Sequence, residues 1–177
     1  MTYFYKIICL VILTFQSLPT PAQAAEERLI SENQAKAAFV FNVVRYITWP
    51  PPSSNSVLIG ILGKGPVARE WQSISGKTMN GRKLRVVKSN DVDEMLDCQI
   101  VVIEETSPHK LSRILLSLRH FPILTIGDSP VFIRSGGSLN ISLRDDHISF
   151  SVNLAQARTV GLDISSNLLK LATEVVK

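Results

Sequence analysis

His109, His120 and His147 are the side chains of this 177-residue chain best suited to moving protons or holding a metal near neutral pH. They fall at a helix start, a helix end and a turn, and none has a second ligand at metal spacing. Only Cys98 lies beyond the first 24 residues, which argues against a structural zinc site. No Gly-x-Ser-x-Gly elbow places a serine nucleophile. Glu104 and Glu105 are sequence neighbours, so on a strand they point to opposite faces and cannot act as a pair. Gly76-Lys77-Thr78 has the end of a phosphate-binding loop, but Trp71 stands where its first glycine belongs, and a helix rather than a strand precedes it. These residues add up to a binding protein, not an enzyme, and imply no cofactor or metal.

Binding chemistry is better represented. On a continuous helix Arg45 and Trp49 lie one turn apart and present a cation beside an aromatic ring. Trp49 reads first as a core lid over the helix end, and otherwise as part of such a contact surface. Arg158 ends a short helix, either as a solvated charge or as a bidentate partner for a carboxylate or phosphate. Lys77, Arg82, Lys83, Arg85 and Lys88 form a basic cluster, followed by acidic Asp91, Asp93, Glu94 and Asp97. They are two solvated faces or a patch for an anionic ligand or acidic partner.

The elements that position these groups follow from the patterning. Residues 1–24 read as a signal peptide: Lys6 is the positive end, Ile7 to Phe15 the apolar run, and Ala22-Gln23-Ala24 the small-x-small cleavage site. The run is too short to span a membrane. The expected product is a soluble periplasmic protein, residues 25–177, forming one domain. Its formal charge of +4 loses only Lys6 on cleavage, so it stays mildly basic, and its compartment argues against nucleic acid as a partner. Cys9 leaves with the signal, so no internal disulfide can form and Cys98 is expected as a free, buried, slow-reacting thiol.

Leu29 to Ile47 predicts a long helix, with Ser31 and Gln34 as a capping box and Trp49-Pro50-Pro51-Pro52 as its stop. Ser56–Leu62 is apolar throughout, as a strand buried on both faces should be. A short helix ending near Ile74, an Asn80-Gly81 turn and a strand through Leu84, Val86 and Val87 follow. Gln99–Ile103 and Ile123–Ile126 are further strands around a Pro108–Arg119 helix. This alternation predicts an α/β fold, a mostly parallel sheet flanked by helices in a Rossmann-like three-layer arrangement. Its ligand edge, beyond the carboxyl ends of the strands, is marked by Gly63, Glu104 and Gly127-Asp128. Leu139-x-Ile141-x-Leu143 and Ile148-x-Phe150-x-Val152 predict an antiparallel hairpin turned at Arg144-Asp145-Asp146-His147. Closing helices follow: one capped by Asn153 and ended by Gly161, another capped by Ser165 or Ser166 with Leu168, Leu169, Ala172, Val175 and Val176 on one face.

Two strings resemble a known family. Lys36-Ala37-Ala38-Phe39-x-x-Asn42-x-x-Arg45-Tyr46-x-x-Trp49-Pro50 is similar to the opening of a YfiR/HmsC-type domain. Asn153-x-x-x-Ala157-Arg158-x-x-Gly161-Leu162-x-Ile164-Ser165-Ser166-x-Leu168-Leu169 resembles its end, and Gly76-Lys77-x-x-Asn80-Gly81-Arg82 its link into the second strand. The resemblance implies a small exported domain, often dimeric. It binds the periplasmic sensor region of a membrane diguanylate cyclase and holds it inactive, lowering cyclic di-GMP and with it biofilm signalling. It also implies release by an outer-membrane lipoprotein or by redox change, and small-molecule binding in some relatives. Many relatives carry cysteines at the positions of Gly60 and Cys98. The expected partner or ligand contacts are Arg45, Trp49 and Arg158. The alternative is a periplasmic small-ligand sensor or carrier with a different membrane partner. A third reading, an exported enzyme, lacks a visible catalytic set.

Overall fold

A computed structural model describes residues 21–51, 55–64, 68–104, 106–144 and 147–177. Cys9 and most of the expected signal peptide lie outside them, as do Asp145 and Asp146 of the hairpin turn and Glu105. Among the described residues no helix is long and apolar enough to cross a membrane.

An eight-stranded sheet forms the middle layer. Its strands are β2 (Ser56–Leu62), β3 (Thr78–Met79), β4 (Arg82–Ser89), β5 (Ile100–Ile103), β6 (Leu124–Gly127), β7 (Leu139–Arg144), β8 (His147–Asn153) and β10 (Glu174–Val176), in the order β10-β8-β7-β6-β5-β2-β4-β3. β2 runs parallel to β4 and β5, and β6 parallel to β5 and β7. β3–β4 and β7–β8 are antiparallel. The expected α/β fold is what the structure shows.

Alternation along the strands divides the core in two. Val57, Ile59 and Ile61 of β2 join Ile100, Val102, Leu124, Ile126, Leu139 and Ile141 on one face. Helices α1 (Pro21–Val43), α2 (Ala68–Gln72), α4 (Leu154–Thr159) and α5 (Ser166–Leu169) cover it through Ala37, Val40, Trp71, Leu154, Ala157 and Leu168. On the other face Leu62, Val101 and Ile103 meet Leu111, Ile114, Leu115 and Leu118 of α3 (Pro108–Leu118), together with Met95, Cys98 and Phe132. Two independently filled cores make β2 and β5 apolar on both sides, the pattern visible in Ser56–Leu62.

Local signals explain the ends of several elements. Ser107 Oγ accepts from Lys110 N at the start of α3, with Pro108 in the first turn, where its missing N–H costs nothing. Asn153 Oδ1 accepts from Gln156 N (3.0 Å) and Ser165 Oγ from Asn167 N (3.3 Å), the caps expected of α4 and α5. Asn80 (φ 50°) and Gly81 (φ 78°) both take left-handed geometry, which lets a two-residue turn join β3 to β4 with the twist of the strands.

Two expectations are corrected. The first helix begins at Pro21, so Ser31 lies inside it and cannot be its N-cap, and it crosses the Ala24–Ala25 bond without a break. It also ends at Val43, short of Ile47. A 3₁₀ turn, Val44–Tyr46, follows, and then β1 (Ile47–Thr48) pairs antiparallel with β9 (Asp163–Ile164). At the C-terminus the helix stops at Leu169, and Val175 and Val176 belong to β10, parallel to β8. Left alone, β8 would be a bare sheet edge, and its backbone groups give Glu174–Val176 a ladder that a solvated helix end would not. Thr173 fixes the switch, since both its N–H and its hydroxyl donate to Phe150 O at 2.9 Å.

Candidate functional site

The β1–β9 ladder joins the segment that carries Arg45 and Trp49 to the one that follows Arg158. Ile47 pairs with Ile164 and Thr48 with Asp163, and Ser165 N donates to Tyr46 O (2.9 Å). Gly161, at φ 77°, lies against Pro50, where a Cβ would come within 3.2 Å of Pro50 Cγ. Arg45 is exposed in the 3₁₀ turn, and Arg158 is exposed in the last turn of α4. Tyr46, 51% exposed, stands beside Arg45. Arg and Tyr are over-represented among the residues that anchor protein interfaces.

Trp49 is half-buried against the first core, and its indole N–H donates to Gln99 O (3.1 Å). It is therefore partly the lid that the sequence allowed. Because Ile47 and Thr48 are extended, Trp49 does not follow Arg45 by one helical turn, which removes the geometry of the expected cation–aromatic pair. The cation–ring contact found among the described residues is Lys77 Nζ, 5.6 Å from the centre of the Phe41 ring.

Trp49 instead lines a cavity of about 180 Å³ with Val44, Ile47, Val57, Met79, Asn80 and Arg82. It opens at the amino ends of β2 and β4. Arg82 Nη2 donates to Ser56 O at 2.6 Å, whereas its Nε is buried with no acceptor within reach. No carboxylate pairs with this guanidinium among the described residues. A buried donor left unmet costs on the order of 1–3 kcal/mol, and more when charged. Arg82 is thus a functional candidate that the sequence placed only within a basic cluster. The usable signal was its position directly after Asn80-Gly81: the turn delivers residue 82 to the sheet's amino edge, next to the start of β2.

The opposite edge has different electrostatics. Because β4 and β5 flank β2 on opposite sides, the chain's direction of winding reverses between β2 and β5, the usual place for a ligand crevice. A cavity of about 320 Å³ lies at the carboxyl ends of β5 and β6, lined by Ile103, Glu104, Thr106, Leu111, Asp128 and Phe132, among others. Glu104 is only 7% exposed and lies 3.7 Å from Lys88 Nζ. Gly63, at φ 142°, makes room for it, since a Cβ there would sit 2.6 Å from Glu104 Cβ. Asp128 pairs with Lys36 of α1 (3.0 Å), which also holds Glu32 (2.6 Å). Burial alone would lower the Lys36 pKa, but its bonds to Glu32 and Asp128 outweigh that and raise it, so its ammonium stays charged. Both carboxylates of this edge already have cationic partners.

His109 and His147 are exposed, and His120 Nε2 accepts from Arg119 Nε (2.8 Å). No group of three or more His, Cys, Asp or Glu that could hold a metal ion occurs among the described residues. Cys98 is buried. Desolvation, with a smaller push from the Asp97 charge, raises its thiol to about 11.

Comparison with known proteins adds the family. A conserved domain protein from Vibrio cholerae O1 biovar El Tor superposes with a TM-score of 0.54 at 7% identity, over 81% of this chain and 60% of that one. An ABC domain in complex with L-Trp from Streptococcus pneumonia superposes with a TM-score of 0.53 at 10% identity, over 79% and 60%. The chain thus spans about 60% of the length of these solved structures, and the likeness is one of fold. No curated protein matches the sequence. The YfiR/HmsC-like family model matches residues 33–173, most of the chain and every element from the latter half of α1 to α5, and the protein belongs to that family.

Proposed function

We propose that the protein is an exported regulator that represses a membrane diguanylate cyclase by binding the cyclase's periplasmic sensor region, lowering cyclic di-GMP synthesis. The observation that carries this reading is the YfiR/HmsC-like match across residues 33–173. On this reading residues 1–24 are a cleaved signal and the folded domain is periplasmic. The surface beside the β1–β9 ladder suits a protein partner: Arg45 and Arg158 supply exposed cations, Tyr46 an exposed ring, and half-buried Trp49 a rigid neighbour. An outer-membrane lipoprotein that captures the repressor, and a homodimer, belong to the same proposal. A second reading, a small-ligand sensor with another membrane partner, is favoured by the cavity under Trp49.

Co-purification of the cyclase's periplasmic region tests the first reading. The wild-type protein should retain it, and the Arg45→Glu, Arg158→Glu double variant should retain about ten-fold less, since reversed charges at an interface repel an acidic partner. Arg158→Lys should also weaken binding if the guanidinium forks onto a carboxylate. Failure of the folded wild-type protein to retain any cyclase would leave the small-ligand reading as the better one.

A further inference from the structure

Two cavities open at opposite ends of the sheet, and their charges differ in one respect. At the carboxyl edge Glu104 and Asp128 are met by Lys88 and Lys36. At the amino edge Arg82 brings a positive charge that no described carboxylate meets, with its Nε–H buried and unpaired. A guanidinium carries five N–H donors, and Ser56 O takes one of them. Around it the walls are mostly apolar, Val44, Ile47, Pro50, Val57, Met79 and the Trp49 ring, with Thr48 and Asn80 as polar neighbours. This combination excludes most ligands. Apolar walls disfavour sugars and free phosphate, whose many polar groups would be left without partners. A cation is repelled by Arg82. The volume, about 180 Å³, holds a group the size of one ring or a short branched chain.

We propose that the cavity beneath Trp49 is a binding site for a small apolar monocarboxylate, its carboxylate on Arg82 and its hydrocarbon part against Trp49 and Met79. The ion pair gives the guanidinium, which no described carboxylate meets, a charge-assisted partner, stronger than the neutral acceptor that solvent offers. Trp49 keeps its own N–H on Gln99 O, so it offers the ligand the carbon framework of its ring rather than a donor. Ligand entry would bear on the turn that carries Arg45 and Tyr46, because Val44 and Ile47 line the same cavity. The site stands whether or not the protein binds a cyclase.

Benzoate and its neutral isostere benzamide are suitable probes, followed by the indole N–H resonance of Trp49 in the purified protein. Trp49→Phe assigns that resonance against Trp71. Benzoate should shift it saturably, benzamide should bind at least about ten-fold more weakly, and Arg82→Lys should lose about ten-fold in benzoate affinity because it keeps the charge but not the fork. Arg82→Met should abolish the preference for the anion. Equal binding of the two probes, absence of saturation by either, or unchanged benzoate affinity in a folded Arg82→Met protein would overturn the proposal. The comparison of probes is made on the wild-type chain, so it remains decisive if an Arg82 variant fails to fold.

Discussion

Gly60→Cys is expected to close a disulfide with Cys98 under oxidising conditions and to raise stability by as much as about 4 kcal/mol, from closing the loop between the two positions. A Cβ built on Gly60 lies 2.9 Å from Cys98 Sγ, and in a disulfide each Cβ stands about 3 Å from the far sulfur. Met95 Sδ is in the way at 2.4 Å, but it is the end of a flexible thioether. Displacing it costs about 1–3 kcal/mol, so the net gain is smaller than the loop term. This is the pair of positions at which the family resemblance implies cysteines, and here glycine leaves Cys98 alone. With its thiol raised to about 11, on the order of one molecule in ten thousand is thiolate at neutral pH. Native wild-type protein should therefore label at Cys98 only as fast as it opens. The oxidised variant should yield no free thiol from this pair even when unfolded, and a midpoint of unfolding that falls on adding reductant. Two titratable thiols in the oxidised variant, or rapid labelling of native Cys98, would contradict the geometry.

Gly137→Ala is expected to destabilise the fold by about 3 kcal/mol, the upper end for overpacking. Phe132, 1% exposed, is held between two glycines: a Cβ on Gly137 would lie 2.1 Å from its ring and one on Gly127 2.3 Å. The ring belongs to the core beneath α3 and also walls the carboxyl-edge cavity, so it cannot swing outward without opening both. Phe132→Ala alone should cost about 3–5 kcal/mol through the cavity it leaves. The double variant should cost clearly less than the two single losses together, because removing the ring removes the clash. Additive losses in denaturant unfolding would show that the ring and glycine do not share the space.

How much was legible in advance depended on whether a segment's neighbours were local. Ser56–Leu62, the Asn80-Gly81 turn, the Asn153 and Ser165 caps and the β7–β8 hairpin all follow from residues within a few positions of one another. The two misjudged ends depend on distant partners. Ile47 continues the apolar spacing of α1, yet Ile164, far along the chain, draws it into a ladder. Val175 and Val176 fit the helical face begun by Leu168, yet the open edge of β8 claims them. The site shows the same division. Trp49 is recognisable as a lid over a helix end stopped by prolines, and Arg45 and Arg158 as charges at helix ends. Arg82 is half legible: its place after Asn80-Gly81 puts it at the sheet's amino edge, but nothing local shows that its Nε is buried or that Trp49 lines the same cavity.

Repression of a membrane cyclase would show in the cellular cyclic di-GMP of a strain lacking the protein. The level should rise several-fold over the parent strain, and the rise should be reversed by re-expressing the wild-type chain and not by the Arg45→Glu, Arg158→Glu variant at equal abundance. Nucleotide levels that do not change on deletion, in a strain where the cyclase is expressed and competent, would contradict it.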